Sequence, residues 1–529
     1  MKHTLHIVLL LGLGACASPE HDLIIEHGRI IDGTSSASFE GDIGIRNGII
    51  SAIGDLSEAT ATQRIDATDL VVAPGFIDIH SHATSSSIDG SDIVERPEAE
   101  NYVRQGVTTV LGGQDGSSMD DVAEFLAYID EPPPTINVGV FFGHGSLRAR
   151  VLGEDDIQPT GEALTEMTRL VRVAMEDGAF GLSSGLEYTP GAFASVDELV
   201  ALTEPVAEHN GMYISHIRDE GGRLLESVTE VLDVGRGAGV RVQVTHHKVI
   251  GKGRWGMADQ SLALVDEAIA DGVDAASDQY PYTASSTGLT ILFPTWSKDG
   301  GFEALQQRLQ DPTTRQRIRA DVIDHINRER GADPSTIVAA RCAFDTSLNG
   351  KSLADILVDR NVPVDVPGAA DVALELVEAG SCSGVFHSMS DGDVQTIMRH
   401  AMTSISSDGG IPEPGEGVPH PRNYGAFARV LGHYVRDSQV LTLEEAIRKM
   451  TSLPASRLNL ANRGLLQTGM VADLALFDPD TITDTARFSD PHHYAEGVNY
   501  VIVAGELILD NGLLTGIRPG KALRHSRIK

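Results

Sequence analysis

The chain has 529 residues, 41% of them hydrophobic and 22% charged, which suits a large globular body rather than a disordered chain. Its formal net charge of -34 at pH 7 repels a phosphate backbone and argues against nucleic acid as a partner. Three cysteines are too few for a disulfide framework in a chain this long.

Lys2 and His3 give the N-terminus a short basic start, and residues 7–14 form an apolar run too short to span a bilayer. The run closes on Leu13-Gly14-Ala15-Cys16, which resembles the end of a bacterial lipoprotein signal. That resemblance implies a signal over residues 1–16, cleavage before Cys16 and lipidation of its thiol and new amino group. Ala17 and Ser18 follow with no aspartate, which in such proteins implies the periplasmic side of the outer membrane. Membrane contact is then expected only through the lipid anchor. An ordinary secretory signal, leaving a soluble periplasmic or secreted protein, is the alternative. Cys342 and Cys382 either pair or stay free.

Short apolar runs separated by Gly turns occupy residues 22–74, with Asn47-Gly48 as a tight hairpin turn. The same texture returns at Ala472–Asp478 and Val498–Gly512. One β-sandwich domain, from residues 22–74 and 461–529, is expected from the two ends.

Between them, over residues 75–460, strand-like and helix-like segments alternate, as in a parallel α/β barrel. Eight such units predict a (β/α)8 barrel. The long gap before the eighth strand predicts a lid insertion over about residues 288–370, with Pro312 interrupting a helical stretch.

The barrel opens on Phe76-Ile-Asp-Ile-His80-Ser-His82. Residues two apart on a strand project to one side, so His80 and His82 can grip one divalent ion. Further polar residues fall where the other strands end. They are Asp115, His144, Glu187 with Tyr188, His216, His246 and Asp408. The mouth at the C-terminal ends of the strands is where barrel active sites are built. His247 adjoins His246 and should point the other way.

His-x-His on the first strand, single histidines on the fifth and sixth, and Asp on the eighth resemble the metal-dependent amidohydrolase superfamily. Longer phrases resemble its D-aminoacylase (N-acyl-D-amino-acid deacylase) family. These are Gly181-Leu-Ser-Ser-Gly-Leu-Glu-Tyr-Thr-Pro-Gly191, Ser215-His-Ile-Arg-Asp-Glu-Gly221, Tyr280-Pro-Tyr-Thr-Ala284, His420-Pro-Arg422 and Arg448-Lys-Met-Thr-Ser-Leu-Pro-Ala-Ser-Arg457. The resemblance implies an enzyme with one or two zinc ions that frees an amino acid from an N-acyl group. His216 and His246 would hold the tighter ion, and His80 and His82 a second. Asp408 would be the general base and acid. Tyr188, Lys248, Tyr282 and Ser286 match positions around the substrate, with Lys248 facing its carboxylate.

The family carries Cys where this chain has Asp115, in Gln114-Asp115-Gly116. A carboxylate is a harder ligand than a thiolate, and it can bridge two cations. Two readings of Asp115 stand, metal ligand and turn residue. His144 has two as well, oxyanion stabiliser and loop brace. Arg422 either binds a carboxylate or ties down its loop. The fourth strand lacks the Lys that related cyclic-amide hydrolases use to bridge metals. Cyclic-amide hydrolysis, dipeptide hydrolysis and ligand capture without turnover are the rival functions.

Overall fold

A computed structural model describes residues 19–525, so the targeting segment and Cys16 lie outside the described residues. Eight parallel strands form the barrel: β1 (Phe76–Asp78), β2 (Val107–Gly112), β3 (Asn137–Val140, continued by Phe142–Gly143), β4 (Gly181–Gly185), β5 (Met212–His216), β6 (Arg241–Val244), β7 (Ala275–Gln279) and β8 (Thr403–Ile405). They pair in that order within two sheets, β1 to β3 and β3 to β8. The barrel closes just past the last strand, where Asp408 N donates to His80 O at 2.9 Å and His82 N to Gly409 O at 2.6 Å. All eight strands are buried along nearly their whole length, because helices cover the outer face and neighbouring strands fill the inner one.

Helices Glu162–Asp177, Val196–Glu208, Leu224–Ala238 and Ala258–Ala270 follow β3 to β6 and turn apolar faces inward. Ser195 caps the second of these by accepting from Glu198 N.

The insertion is larger than its sequence suggests. The strand Ser285–Gly288 runs antiparallel to Ser383–Phe386, which pairs in turn with Ile337–Arg341. The inserted layer therefore spans about 285–386, and it has its own core around Leu305, Ile318, Val322, Leu353 and Phe386. Pro312 starts the helix Pro312–Glu329 rather than interrupting one, because a proline at the first position loses no hydrogen bond. Cys342 and Cys382 are joined by a disulfide inside this layer.

The small β domain is one continuous nine-stranded sheet drawn from both ends of the chain. It rolls over, so that Ile49 bridges Val471 around a core of Leu23, Ile25, Ile43, Leu474 and Ile502. Its C-terminal boundary differs from expectation. Residues 520–525 leave the sheet for the barrel, where Val138 N donates to Lys521 O (3.0 Å) and Leu523 N to Val138 O (2.7 Å). Among the described residues, no helix is long and apolar enough to cross a membrane.

Candidate active site

Three of the barrel's strand-end residues have left-handed backbones, Asp115 at φ 53°, His246 at φ 35° and Asp408 at φ 50°. Such backbones are strained for any residue with a side chain, and they turn these three groups off their strands toward one point. Gly185, at the end of β4, allows the approach; a Cβ there would collide with the carbonyl oxygen of Asp115.

Asp115 sits at the centre. Its Oδ1 is 3.5 Å from His80 Nε2 and 3.4 Å from His246 Nε2, and its Oδ2 is 3.4 Å from His82 Nε2 and 3.8 Å from His216 Nδ1. Asp408 Oδ1 is 3.0 Å from His82 Nε2 and 3.5 Å from His80 Nε2. Two sets of ligand atoms result, His80–His82–Asp115–Asp408 and Asp115–His216–His246, with Asp115 common to both.

The electrostatics favour a cation. Burial opposes charge on His82 and His216, yet the surrounding carboxylates raise both to about 10. Burial drives His80 down to about 3, leaving a neutral imidazole whose Nε2 lone pair faces the cluster. His80 Nε2, Asp115 Oδ1 and His216 Nδ1 are buried without a hydrogen-bond partner, and all three aim at the shared space. Imidazole nitrogens and carboxylate oxygens converging in this way fit a divalent ion such as zinc.

The outer atoms of the histidines are held in turn. His246 Nδ1 faces Glu220 Oε1 at 3.0 Å, and Lys248 Nζ donates to the same oxygen at 2.5 Å. His216 Nε2 faces Glu187 Oε2 at 3.0 Å. His80 Nδ1 meets Thr245 Oγ1. Behind β1, Asp78 accepts from Ser407 N at 3.0 Å, and burial pushes its carboxyl up to about 7. Arg422 Nη1 donates to Asp408 Oδ2 at 2.6 Å, and Arg422 with the histidines outweighs burial to hold that carboxyl well below its ordinary value.

The mouth opens into a cavity of about 560 Å3 whose wall includes His82, Asp115, Tyr188, Ser286, Asp408 and Arg422. A small inner cavity continues from it past His216, His246, Lys248 and Tyr280. Tyr188 and Ser286 line both, and Lys248 lines the inner one.

Two expected residues lie elsewhere. His144 begins the helix His144–Leu152 and is fully buried, its Nε2 turned to Glu198 Oε1 at 2.9 Å. It braces its loop and lines neither cavity. Tyr282 points its hydroxyl at Asp484 Oδ2 (3.4 Å), in a separate cavity with Arg429. Tyr280 takes its place at the site, with Lys248 Nζ 5.4 Å and Arg422 Cζ 4.9 Å from its ring centre. His247 points away as expected, its Nε2 2.9 Å from Ser261 Oγ. Glu220 and Tyr280 belong to the segments 215–221 and 280–284, and the sequence alone assigns neither a role. Their signal was proximity in sequence to His216 and to the strand end of β7.

Imidazoles and carboxylates converging at the C-terminal mouth of a (β/α)8 barrel define a metal-assisted hydrolase. The chain belongs to the Amidohydrolase family, whose model it matches over residues 63–509. It is 34% identical to D-aminoacylase of Alcaligenes xylosoxydans xylosoxydans, over 96% of this chain and 98% of that protein. It is 36% identical to the N-acyl-D-glutamate deacylase of the same organism, over 95% and 96%. It also superposes on N-acyl-D-glutamate deacylase from Bordetella bronchiseptica, solved with zinc and a phosphonate mimic of the tetrahedral intermediate. The TM-score is 0.81 at 33% identity, covering 95% of this chain and 99% of that one.

Proposed function

We propose that this protein is a zinc-dependent hydrolase of the amide bond of N-acyl-D-amino acids, releasing a free amino acid and a carboxylic acid. The observation that carries the reading is the cluster of His80, His82, Asp115, His216, His246 and Asp408, closed on a substrate-sized cavity. Full-length similarity to deacylases of N-acyl-D-amino acids supports the substrate class.

When bound, zinc supplies Lewis acidity that polarises the scissile carbonyl and makes water a stronger acid. Asp115 would belong to both ligand sets, since Oδ1 faces His80 and His246 while Oδ2 faces His82 and His216, and it stands where the family carries cysteine. Asp408 Oδ1 accepts the proton of the attacking water and returns it to the leaving nitrogen. Its Oδ2 is held by Arg422, which fixes the carboxylate's direction. Tyr188, Ser286 and Tyr280 shape the wall against which the substrate lies.

The location is read as a lipoprotein anchored through Cys16 on the periplasmic side of a bacterial membrane. The Cys342–Cys382 disulfide supports an oxidising compartment. Cys16→Ser should abolish incorporation of labelled fatty acid and move the protein to the soluble fraction; unchanged membrane association would remove the anchor.

The function is tested by assaying zinc-loaded and chelator-treated protein on N-acetyl-D- and N-acetyl-L-amino acids and on dipeptides. Zinc-dependent turnover of the D series is expected. Turnover of dipeptides alone, or of nothing, would overturn the reading.

A further inference from the structure

Asp278, on β7, is fully buried and belongs neither to the ligand cluster nor to the walls of the two site cavities. Among the described residues no lysine or arginine pairs with it, and the nearest ring nitrogen is His80 Nδ1 at 3.8 Å. A buried carboxylate without a cationic partner is costly unless hydrogen bonds fill its oxygens. Here they do. Oδ2 accepts from Gln243 Nε2 at 2.6 Å. Oδ1 accepts from His246 N at 2.8 Å, Ser406 Oγ at 3.0 Å and Thr245 Oγ1 at 3.3 Å.

The donors on Oδ1 lead to the metal cluster from different strands. His246 is itself a candidate ligand, and its N–H bond to Asp278 holds a backbone strained at φ 35°. Thr245 leads to a second ligand. Its hydroxyl carries a single proton, and Oδ1, which accepts from the His246 N–H as well, takes that proton. Thr245 Oγ1 is then left to accept from His80 Nδ1, which it meets. The ring proton of His80 therefore sits on Nδ1, and Nε2 keeps the lone pair that faces Asp115 and Asp408. Ser406, bound to the same oxygen, lies two residues before Asp408.

We propose that Asp278 is a positioning residue of the metal centre that orients one ligand of each set, His246 through its backbone and His80 through Thr245. β7 adds no side chain to the two ligand sets, and its contribution to the site is this carboxylate behind them. Asp278 acts by accepting hydrogen bonds in fixed directions, not by its charge. This inference rests on the zinc reading of the cluster, which it deepens.

The test reads zinc affinity by competition with a chromophoric chelator, and ligand geometry by the visible absorption spectrum of cobalt-loaded protein. Thr245→Val keeps the shape of the side chain and cuts only the path to His80. It should weaken the ion held by His80 by roughly 10–100-fold, the usual cost of losing such a partner, and leave an ion on His216 and His246 unchanged. Thr245→Ser restores the hydroxyl and should recover both the affinity and the cobalt spectrum. Asp278→Ala should weaken every ion bound. Asp278→Asn should retain more than alanine does, because its carbonyl still accepts from His246 N and Thr245. Melting temperatures of the zinc-free proteins separate positioning from packing. Lost packing alone lowers the melting temperature and leaves the affinity and spectrum of the folded protein as in wild type. Wild-type affinity for every ion in Thr245→Val or in Asp278→Ala overturns the proposal while leaving the zinc reading intact. An asparagine variant no better than alanine does the same, since charge would then be what matters. A wild type that binds no zinc overturns both.

Discussion

Arg422 Nη1 stands 2.6 Å from Oδ2 of Asp408, while Oδ1 of the same carboxylate faces His82 Nε2 at 3.0 Å. One carboxylate is thus shared between a fixed cation and the ligand cluster. A charge-assisted hydrogen bond to Oδ2 leaves only Oδ1 free to exchange protons, and it does so in a fixed direction. The two residues are 14 apart in sequence, on either side of the loop that follows β8.

The first prediction concerns that free oxygen. Asp408→Asn keeps the shape and one acceptor oxygen for Arg422 but cannot take a proton. Turnover should fall by roughly 10²–10⁴-fold, the usual worth of a positioned base. Zinc content, measured by mass spectrometry on the same sample, should stay close to wild type because five other ligands remain. Full activity in Asp408→Asn would remove Asp408 as the base.

Asp115 is the second. If it bridges the two ligand sets, Asp115→Ala should lose zinc, and turnover with it. Asp115→Cys should regain part of the zinc, since a thiolate binds it at about 2.3 Å against about 2.0–2.2 Å for a carboxylate oxygen. Full metal content and activity in Asp115→Ala would return Asp115 to the role of turn residue.

Glu220 gives the third. It is buried between His246 Nδ1 (3.0 Å) and Lys248 Nζ (2.5 Å), so it both orients a zinc ligand and neutralises a buried ammonium. Glu220→Gln should weaken zinc binding by roughly 10–100-fold, as such outer partners do. It should also cost about 3–5 kcal/mol of stability, because Lys248 is left buried and unpaired. Adding Lys248→Met should restore part of the melting temperature without restoring zinc affinity. If the double variant recovers both, Glu220 acts only as a counter-ion and orients nothing.

The extent to which sequence foretold this site follows from locality. His80 and His82 are read from one strand because a two-residue period places both on one side. The other ligands were found because barrel chemistry gathers at strand ends, a rule that needs no long-range contacts. The rule names the strand end but does not choose between close neighbours there. β7 ends at Gln279, so in Tyr280-Pro-Tyr282 the strand period no longer says which tyrosine faces the site, and the chain turns Tyr282 toward Asp484 instead. His144 misled for a related reason. It is the first residue of a helix, and its ring meets Glu198 on a different helix 54 residues later. The full extent of the insertion was invisible because its outer strand pairs Ser285 with Phe386, a partnership no local pattern encodes. The return of residues 520–525 to β3 is long-range in the same way.

The last prediction joins the insertion to the site. Ser286 lines the substrate cavity from the strand Ser285–Gly288, whose partner strand Ser383–Phe386 begins one residue after Cys382. Leu289 N, just past the first strand, donates to Cys382 O at 2.9 Å. The bond from Cys382 to Cys342 therefore anchors the strand pair that presents Ser286. It closes a loop with a sequence separation of 40, for which loop-closure entropy gives a stabilisation of about 4 kcal/mol. Replacing both cysteines by alanine should lower the melting temperature and raise KM more than it lowers kcat. Ser286 belongs to the wall that meets substrate, whereas the ligand cluster sits at and just past the C-terminal ends of the barrel strands. Zinc content should be unchanged for the same reason. Reduction of the native protein with a thiol should reproduce the KM effect, and reoxidation should reverse it. If the double variant matches wild type in melting temperature and KM, the disulfide does not hold the substrate wall. If it loses zinc as well, the insertion supports the metal cluster, and the division of labour between barrel and insertion argued here is wrong.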